Sequence, residues 1–249
     1  MAPTRVLILA GTAQARGLCE ALAGRADIAA VASLAGRTRE PHMLPVPTRH
    51  GGFGGVEGLV DHLKSERVDL LVDATHPFAA QMSANAAQAC QSARVPRLSF
   101  DRDPWVRQTG DDWIEVDDLA AAARALGGAH KRVFLSQGRV GVSAFKAAGP
   151  HGYVMRAVEA PARDDLPPNC KVILGRGPFA FADETRLLAD ERVDIIVSKN
   201  SGGSSAKIDA ARALRIPIVM IRRPAPPPGA RVTTLDGALA WIAAHRADS

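Results

Sequence analysis

Aromatic side chains are scarce in this sequence. One tyrosine, three tryptophans and seven phenylalanines make up 4% of its 249 residues, too few for an obvious base-stacking platform of the kind that binds nucleic acid. Cysteine is scarcer still. Cys19, Cys90 and Cys170 are odd in number and widely separated, which leaves neither a disulfide framework nor a Cys-x-x-Cys metal pair. No apolar run approaches the roughly 20 residues needed to cross a bilayer. The opening MAPTRVLILAGT sets one Arg before a short apolar run, but Gly-Thr and an amphipathic stretch follow where a signal peptide offers a cleavage site. A cytoplasmic chain with no membrane partner is expected.

Several catalytic signatures are also missing. There is no G-x-S-x-G elbow for a serine hydrolase. Tyr153, the one tyrosine, is followed by Arg156 and starts no Tyr-x-x-x-Lys pair, which weakens a generic NADP-dependent carbonyl reductase. No spacing among the seven histidines suits zinc. The first glycine turn, LAGTAQARGL, lacks the full G-x-G-x-x-G pattern of dinucleotide folds.

What is present describes an ordinary globular chain, 47% hydrophobic and 23% charged, able to bury a core in either half. A net charge of +5 invites a polyanionic partner. Because the basic residues are dispersed, a small polyanion is expected and nucleic acid is not.

Short β-branched runs alternate with alanine-rich stretches. Strands are expected at 6–10, 28–34, 68–72, 97–100, 132–136, 153–156, 171–174, 193–197 and 218–221. Helices are expected at 13–24, 56–66, 78–93, 142–148, 179–191, 204–214 and 235–245, with the Pro-rich PAPPPG (Pro224 to Gly229) leading into the last of them. Runs that are apolar throughout, without alternation, imply strands covered by helices on both faces of a parallel sheet. RVDLLV at 67–72 returns as RVDIIV at 192–197. Each copy precedes a polar loop, an Ala-rich helix and a Val-Pro or Ile-Pro strand start. The expected architecture is α/β, with two Rossmann-like parallel-sheet halves, residues 1–125 binding NADPH and residues 126–249 forming the second half. An interdomain cleft is expected between them, since ligands of open α/β sheets sit beyond the carboxyl ends of the strands.

The candidate residues fall at those ends. Gly11 lets backbone approach a phosphate, Thr12 offers a hydroxyl and Arg16 a cation, all at a helix N-terminus that favours anions. After the second strand, SLAGRTRE offers Ser33, Arg37, Thr38 and Arg39 and no acid before Glu40. That chemistry suits a 2'-phosphate and not a bare ribose diol, so NADPH is preferred to NADH. HGGFGG (His50 to Gly55) permits close approach of a flat ligand or phosphates. DATHPF supplies Asp73, Thr75 and His76, the last a candidate proton donor. SKNSGG supplies Lys199, Asn200 and Ser201 with Gly202 and Gly203, a receptor for carboxylate or phosphate. Arg139 and Arg176 follow other strands and add cations. No metal site is expected.

With AGTAQAR, SLAGRT, GGFGG, DATHPFA, GRGPF and VSKNSGGSSAKIDAAR in this order, the chain resembles the precorrin-6A reductase family of cobalamin biosynthesis, including its cobalt-precorrin-6A branch. Ala13-Gln14 departs from the acidic residue expected after the Gly-Thr pair. The resemblance implies NADPH-dependent reduction of the C18=C19 double bond of an anionic tetrapyrrole, passed from and to neighbouring enzymes of the pathway. It implies that Gly11, Thr12 and Arg16 hold the pyrophosphate, and that Ser33, Arg37 and Thr38 hold the 2'-phosphate end. His76 and Lys199 face the macrocycle as proton donors or carboxylate partners, with water as an alternative proton source. The competing expectation is a non-catalytic two-lobed binding or sensor protein for an anionic ligand.

Overall fold

The computed structural model describes residues 2–35 and 43–246; Arg37 and Thr38 lie outside them. In chain order the elements are β1 (Thr4–Leu9), α1 (Ala13–Leu22), β2 (Ile28–Leu34), β3 (Thr48–His50), α2 (Val56–Ser65), β4 (Leu70–Asp73), α3 (Ala80–Ala93), β5 (Arg97–Phe100), β6 (Trp113–Val116), α4 (Leu119–Ala125), β7 (Arg132–Leu135), β8 (Gly152–Ala157), β9 (Cys170–Leu174), α5 (Phe181–Asp190), β10 (Ile195–Lys199), α6 (Ala206–Leu214), β11 (Ile218–Ile221), β12 (Ala230–Val232) and α7 (Leu235–Ala244). None of the helices described is long and apolar enough to cross a membrane.

The strands form two six-stranded sheets, ordered β12-β5-β4-β1-β2-β3 and β6-β11-β10-β7-β8-β9, and every pairing is parallel. Apolar residues at both parities of the central strands explain this. In the first sheet Val6 and Ile8 pack with Leu18 of α1 and Ile242 of α7, while Leu7 and Leu9 face Leu59 of α2 and Ala86 of α3. In the second, Phe134, Ile196 and Met220 pack with Leu188 of α5 and Ile208 of α6.

The repeated sequence occupies equivalent places. β4 lies between β1 and β5, and β10 between β7 and β11. Both units reverse their strand order on one side of that strand, between β1 and β4 and between β7 and β10. The local chemistry repeats with it. Asp69 Oδ2 accepts the Arg5 N–H at 2.7 Å, and Asp194 Oδ2 accepts the Arg132 N–H at 2.7 Å. Arg67 and Arg192 both take the left-handed conformation at φ 50°. Arg94 and Arg215 end α3 and α6 in the same conformation, turning the chain into the X-Pro that opens the next strand.

Four elements were not expected: β3, β6, α4 and β12. Two expectations are corrected. The helix at 142–148 is a single 3-10 turn, Val142–Phe145, confined between the left-handed Gly141 and the Gly149-Pro150 turn. PAPPPG leads into β12 before it reaches α7. By internal packing the compact units are Met1–Asp103 with Pro224–Ser249, and Pro104–Arg223. They differ from a division at 125/126 because β6 joins the second sheet and β12 and α7 complete the first.

Candidate functional site

In the first unit the turn after β1 lies where the strand order reverses. Gly11 has φ 128°, a conformation that favours glycine, and a Cβ there would meet no atom within 4 Å, so backbone is open to a ligand. Thr12 caps α1 by accepting the Ala15 N–H at 3.2 Å, and its hydroxyl donates to the Ala74 carbonyl at 2.7 Å. The single hydroxyl proton thereby ties the turn after β1 to the loop after β4. Arg16 lies in the first turn of α1, where no acidic residue stands, and makes no ion pair among the described residues. The missing acid at Ala13-Gln14 leaves the positive end of this helix uncompensated.

Ser33, near the end of β2, accepts a hydrogen bond from Arg49 Nη1 at 2.8 Å. Arg49 also donates to the carbonyls of Gly51 and Gly52 and lies 3.9 Å over the Phe53 ring. Burial pushes its pKa down, and Arg49 together with burial lowers that of His62. Arg49 was missed in the sequence because its strand is only three residues long. HGGFGG itself uses Gly51 at φ 99° to turn the Gly51 and Gly52 carbonyls toward that guanidinium, and Gly55 at φ 97° to enter α2.

DATHPF is shaped from within. The buried Asp73 accepts the Thr75 hydroxyl at 2.7 Å and the Thr75 N–H at 3.2 Å, so these two residues build the loop. His76 is half-buried. Its Nδ1 accepts the Phe78 N–H at 3.2 Å, which places the proton of the neutral ring on Nε2.

In the second unit Lys199 closes β10 and is half-buried. Asn200 is buried, and both ends of its amide are engaged with Trp105: Oδ1 accepts the Trp105 N–H at 2.8 Å and Nδ2 donates to its carbonyl at 3.0 Å. The amide thereby braces the loop against Trp105. Ser201 turns tightly, its N–H donating to the Lys199 carbonyl at 2.7 Å. Gly202, buried, and Gly203, exposed, have φ 67° and 85°, a left-handed turn that favours glycine. Arg139 pairs with Glu159 at 3.4 Å, and Arg176 is exposed after β9.

A second cation escaped the sequence reading. Lys207, in the first turn of α6, donates from Nζ to Ser136 Oγ at 2.7 Å and to Ser198 Oγ at 2.6 Å. Burial lowers its pKa to about 8. Only its place two residues after the Ser-Ser pair could have pointed to it. Among the described residues no group of three or more His, Cys, Asp or Glu could hold a metal ion.

Comparison with known proteins agrees with this fold. Residues 5–243 match the family model described as Precorrin-6x reductase CbiJ/CobK. The chain is 47% identical over 246 residues to the precorrin-6A reductase of Rhodobacter capsulatus, covering 98% of both chains. It is 46% identical over 242 residues to that of Rhodococcus erythropolis, covering 96% of this chain and 97% of the relative. A solved structure named CobK precorrin-6A reductase superposes with a TM-score of 0.91 at 47% identity, covering 98% of each chain. A match along nearly the whole length, in sequence and in fold, leaves one assignment: the chain belongs to the Precorrin-6x reductase CbiJ/CobK family.

Proposed function

We propose that this chain reduces one ring double bond of precorrin-6A, C18=C19, with NADPH as the electron donor. The observation that carries the cofactor assignment is the reversal point of the first sheet. An open, left-handed Gly11 stands before a helix whose first turn has Arg16 and no acid, and no carboxylate stands among the described residues that end β2. Those residues fit a phosphate-rich nucleotide: Gly11 and Arg16 for the pyrophosphate, and Ser33 with Arg37, Thr38 and Arg49 for the 2'-phosphate. When bound, NADPH supplies the hydride.

The rest falls to this chain's own side chains. Reduction of the double bond also needs a proton, for which His76 and Lys199 are the candidates. His76 presents an Nε2 proton because Phe78 fixes its ring. Lys199, the backbone N–H groups of Gly202 and Gly203, and Arg139 and Arg176 suit the carboxylates of an anionic tetrapyrrole. Asp73, Thr75 and Asn200 contribute by holding the loops that carry these groups.

Mixing the protein with NADPH and precorrin-6A tests the proposal. Loss of reduced-nicotinamide absorbance together with a shift in the macrocycle's visible spectrum is expected. Binding of both ligands with no oxidation of NADPH would instead favour a two-lobed binding protein.

A further inference from the structure

The point where the second sheet reverses its order carries a cluster that the reaction as proposed does not use. In the first unit the strands flanking the reversal are joined by Thr12 and Ala74. In the second, a lysine does this work. Ser136 follows β7 and Ser198 lies within β10, where it is fully buried. The Ser136 hydroxyl donates to the Val197 carbonyl and that of Ser198 to the Lys199 carbonyl, so both oxygens offer lone pairs inward. Lys207 Nζ, with protons to donate and no lone pair while charged, fills that arrangement at 2.7 and 2.6 Å.

Its remaining side faces Trp105, whose ring centroid is 5.2 Å from Nζ, within range for attraction between a cation and an aromatic face. Trp105 is in turn bonded to the SKNSGG loop at three places: its N–H and carbonyl meet the Asn200 amide, and its indole N–H donates to the Gly203 carbonyl at 3.1 Å. A single ammonium thus connects the ends of two strands to the loop that carries Lys199, Gly202 and Gly203.

We propose that Lys207 is a positioning residue for the reductase: its ammonium clamps the carboxyl ends of β7 and β10 beneath Trp105, and so holds the SKNSGG loop in the conformation that receives the substrate's carboxylates. The role assigned to that loop rests on the function proposed above. The other charged groups facing Lys207 are Glu184 of α5, which favours its protonated form, and Arg156 of β8, which opposes it. These two pair with each other at 2.6 Å. Glu184 Oε2 is buried without a hydrogen-bond partner, so the carboxylate does not take over the ammonium. With burial lowering its pKa to about 8, Lys207 loses its charge just above neutrality, and the clamp loosens in the same range.

Steady-state kinetics between pH 6 and about 9.5, below the range in which arginine titrates, test this on the full chain. In the natural protein KM for precorrin-6A should rise as pH passes about 8, with KM for NADPH much less affected. Lys207→Met should raise KM for precorrin-6A about tenfold at neutral pH and abolish the alkaline rise. A cooperative urea unfolding transition in the same variant, followed by the fluorescence of Trp105 and Trp113 in the second unit, would show that it is folded. Lys207→Arg, which keeps the charge, should restore much of the affinity without the limb near pH 8. Methionine kinetics that match the natural protein, limb included, would overturn the proposal.

A second measurement does not depend on turnover. With Trp113 and Trp241 replaced by Phe, Trp105 fluorescence should titrate near pH 8 and stop doing so in Lys207→Met. Absence of that titration in the Lys207 protein would overturn the clamp even if the reductase were active. Its presence in a protein unable to oxidise NADPH would uphold the clamp and sink the catalytic reading.

Discussion

Thr12 gives its hydroxyl proton to Ala74 and takes the Ala15 N–H in return, so it shapes the turn after β1. Thr12→Val should cost about 1–2 kcal/mol of stability, as the loss of an N-cap does, and urea unfolding measures it. Asn200 is the same kind of residue: Asn200→Leu leaves the backbone N–H and carbonyl of Trp105 without partners and should cost about 2 kcal/mol or more. His76 differs, because its Nδ1 takes the Phe78 N–H and the proton of the neutral ring stands on Nε2. His76→Ala should lower turnover by about 10²-fold while NADPH affinity holds, and unchanged turnover would remove the imidazole from the chemistry. Arg37→Ala and Arg49→Ala should each weaken NADPH far more than NADH. Equal losses for both nucleotides would exclude these residues from the 2'-phosphate site.

At the scale of elements, legibility followed burial. Every central strand carried a continuous apolar run and was found within a residue or two, because helices cover both of its faces. The elements missed were mostly at the edges. β3 and β12 have three residues each, and β6, WIEV, buries its first residue while the next two are exposed, so none presents a run to find. α4 was legible and overlooked: Asp118 caps it by accepting the Ala121 N–H at 2.7 Å, and Gly127 follows its end. The site divided along a similar line. Sequence located the loops DATHPF and SKNSGG, since strand ends are predictable, but which of their polar groups face inward depends on partners distant in the chain. Asn200 meets Trp105 across 95 residues and Lys207 meets Ser136 across 71, and no local pattern signals either. The repeated aspartates make an element-scale test: Asp69→Ala and Asp194→Ala remove the same bond from equivalent places and should destabilise their units by similar amounts, about 1–3 kcal/mol.

For the molecule as a whole, Lys207 makes stability depend on alkaline pH in a direction that can be worked out. Its folded pKa of about 8 lies below the ordinary 10.5 of lysine. Below pH 8 both states carry the proton, and burial of the charge opposes folding by a constant amount. Between the two values the unfolded chain binds more protons, so this group makes stability rise with pH. Cys19 and Cys90 act the other way from pH 9 upward, since burial raises their folded pKa values to about 11 and about 12. The window for Lys207 alone is therefore pH 8 to 9. Urea unfolding should show a stability that rises more there for the natural chain than for Lys207→Met, and parallel curves would contradict the assignment.

The return of the chain from the second unit to the first has a consequence in time. Residues 104–223 contain all six strands of their sheet, whereas residues 1–103 lack β12 and α7, and with them Ala238 and Ile242 of the first core. On the ribosome, the first unit is thus begun first and completed last. Its core stays open while the whole second unit is synthesised, in reverse of the usual order in which the N-terminal domain folds first. Nascent chains halted with residue 223 exposed should resist protease over 104–223 and be cut within 1–103, and protection of the first segment should arrive only once α7 has emerged.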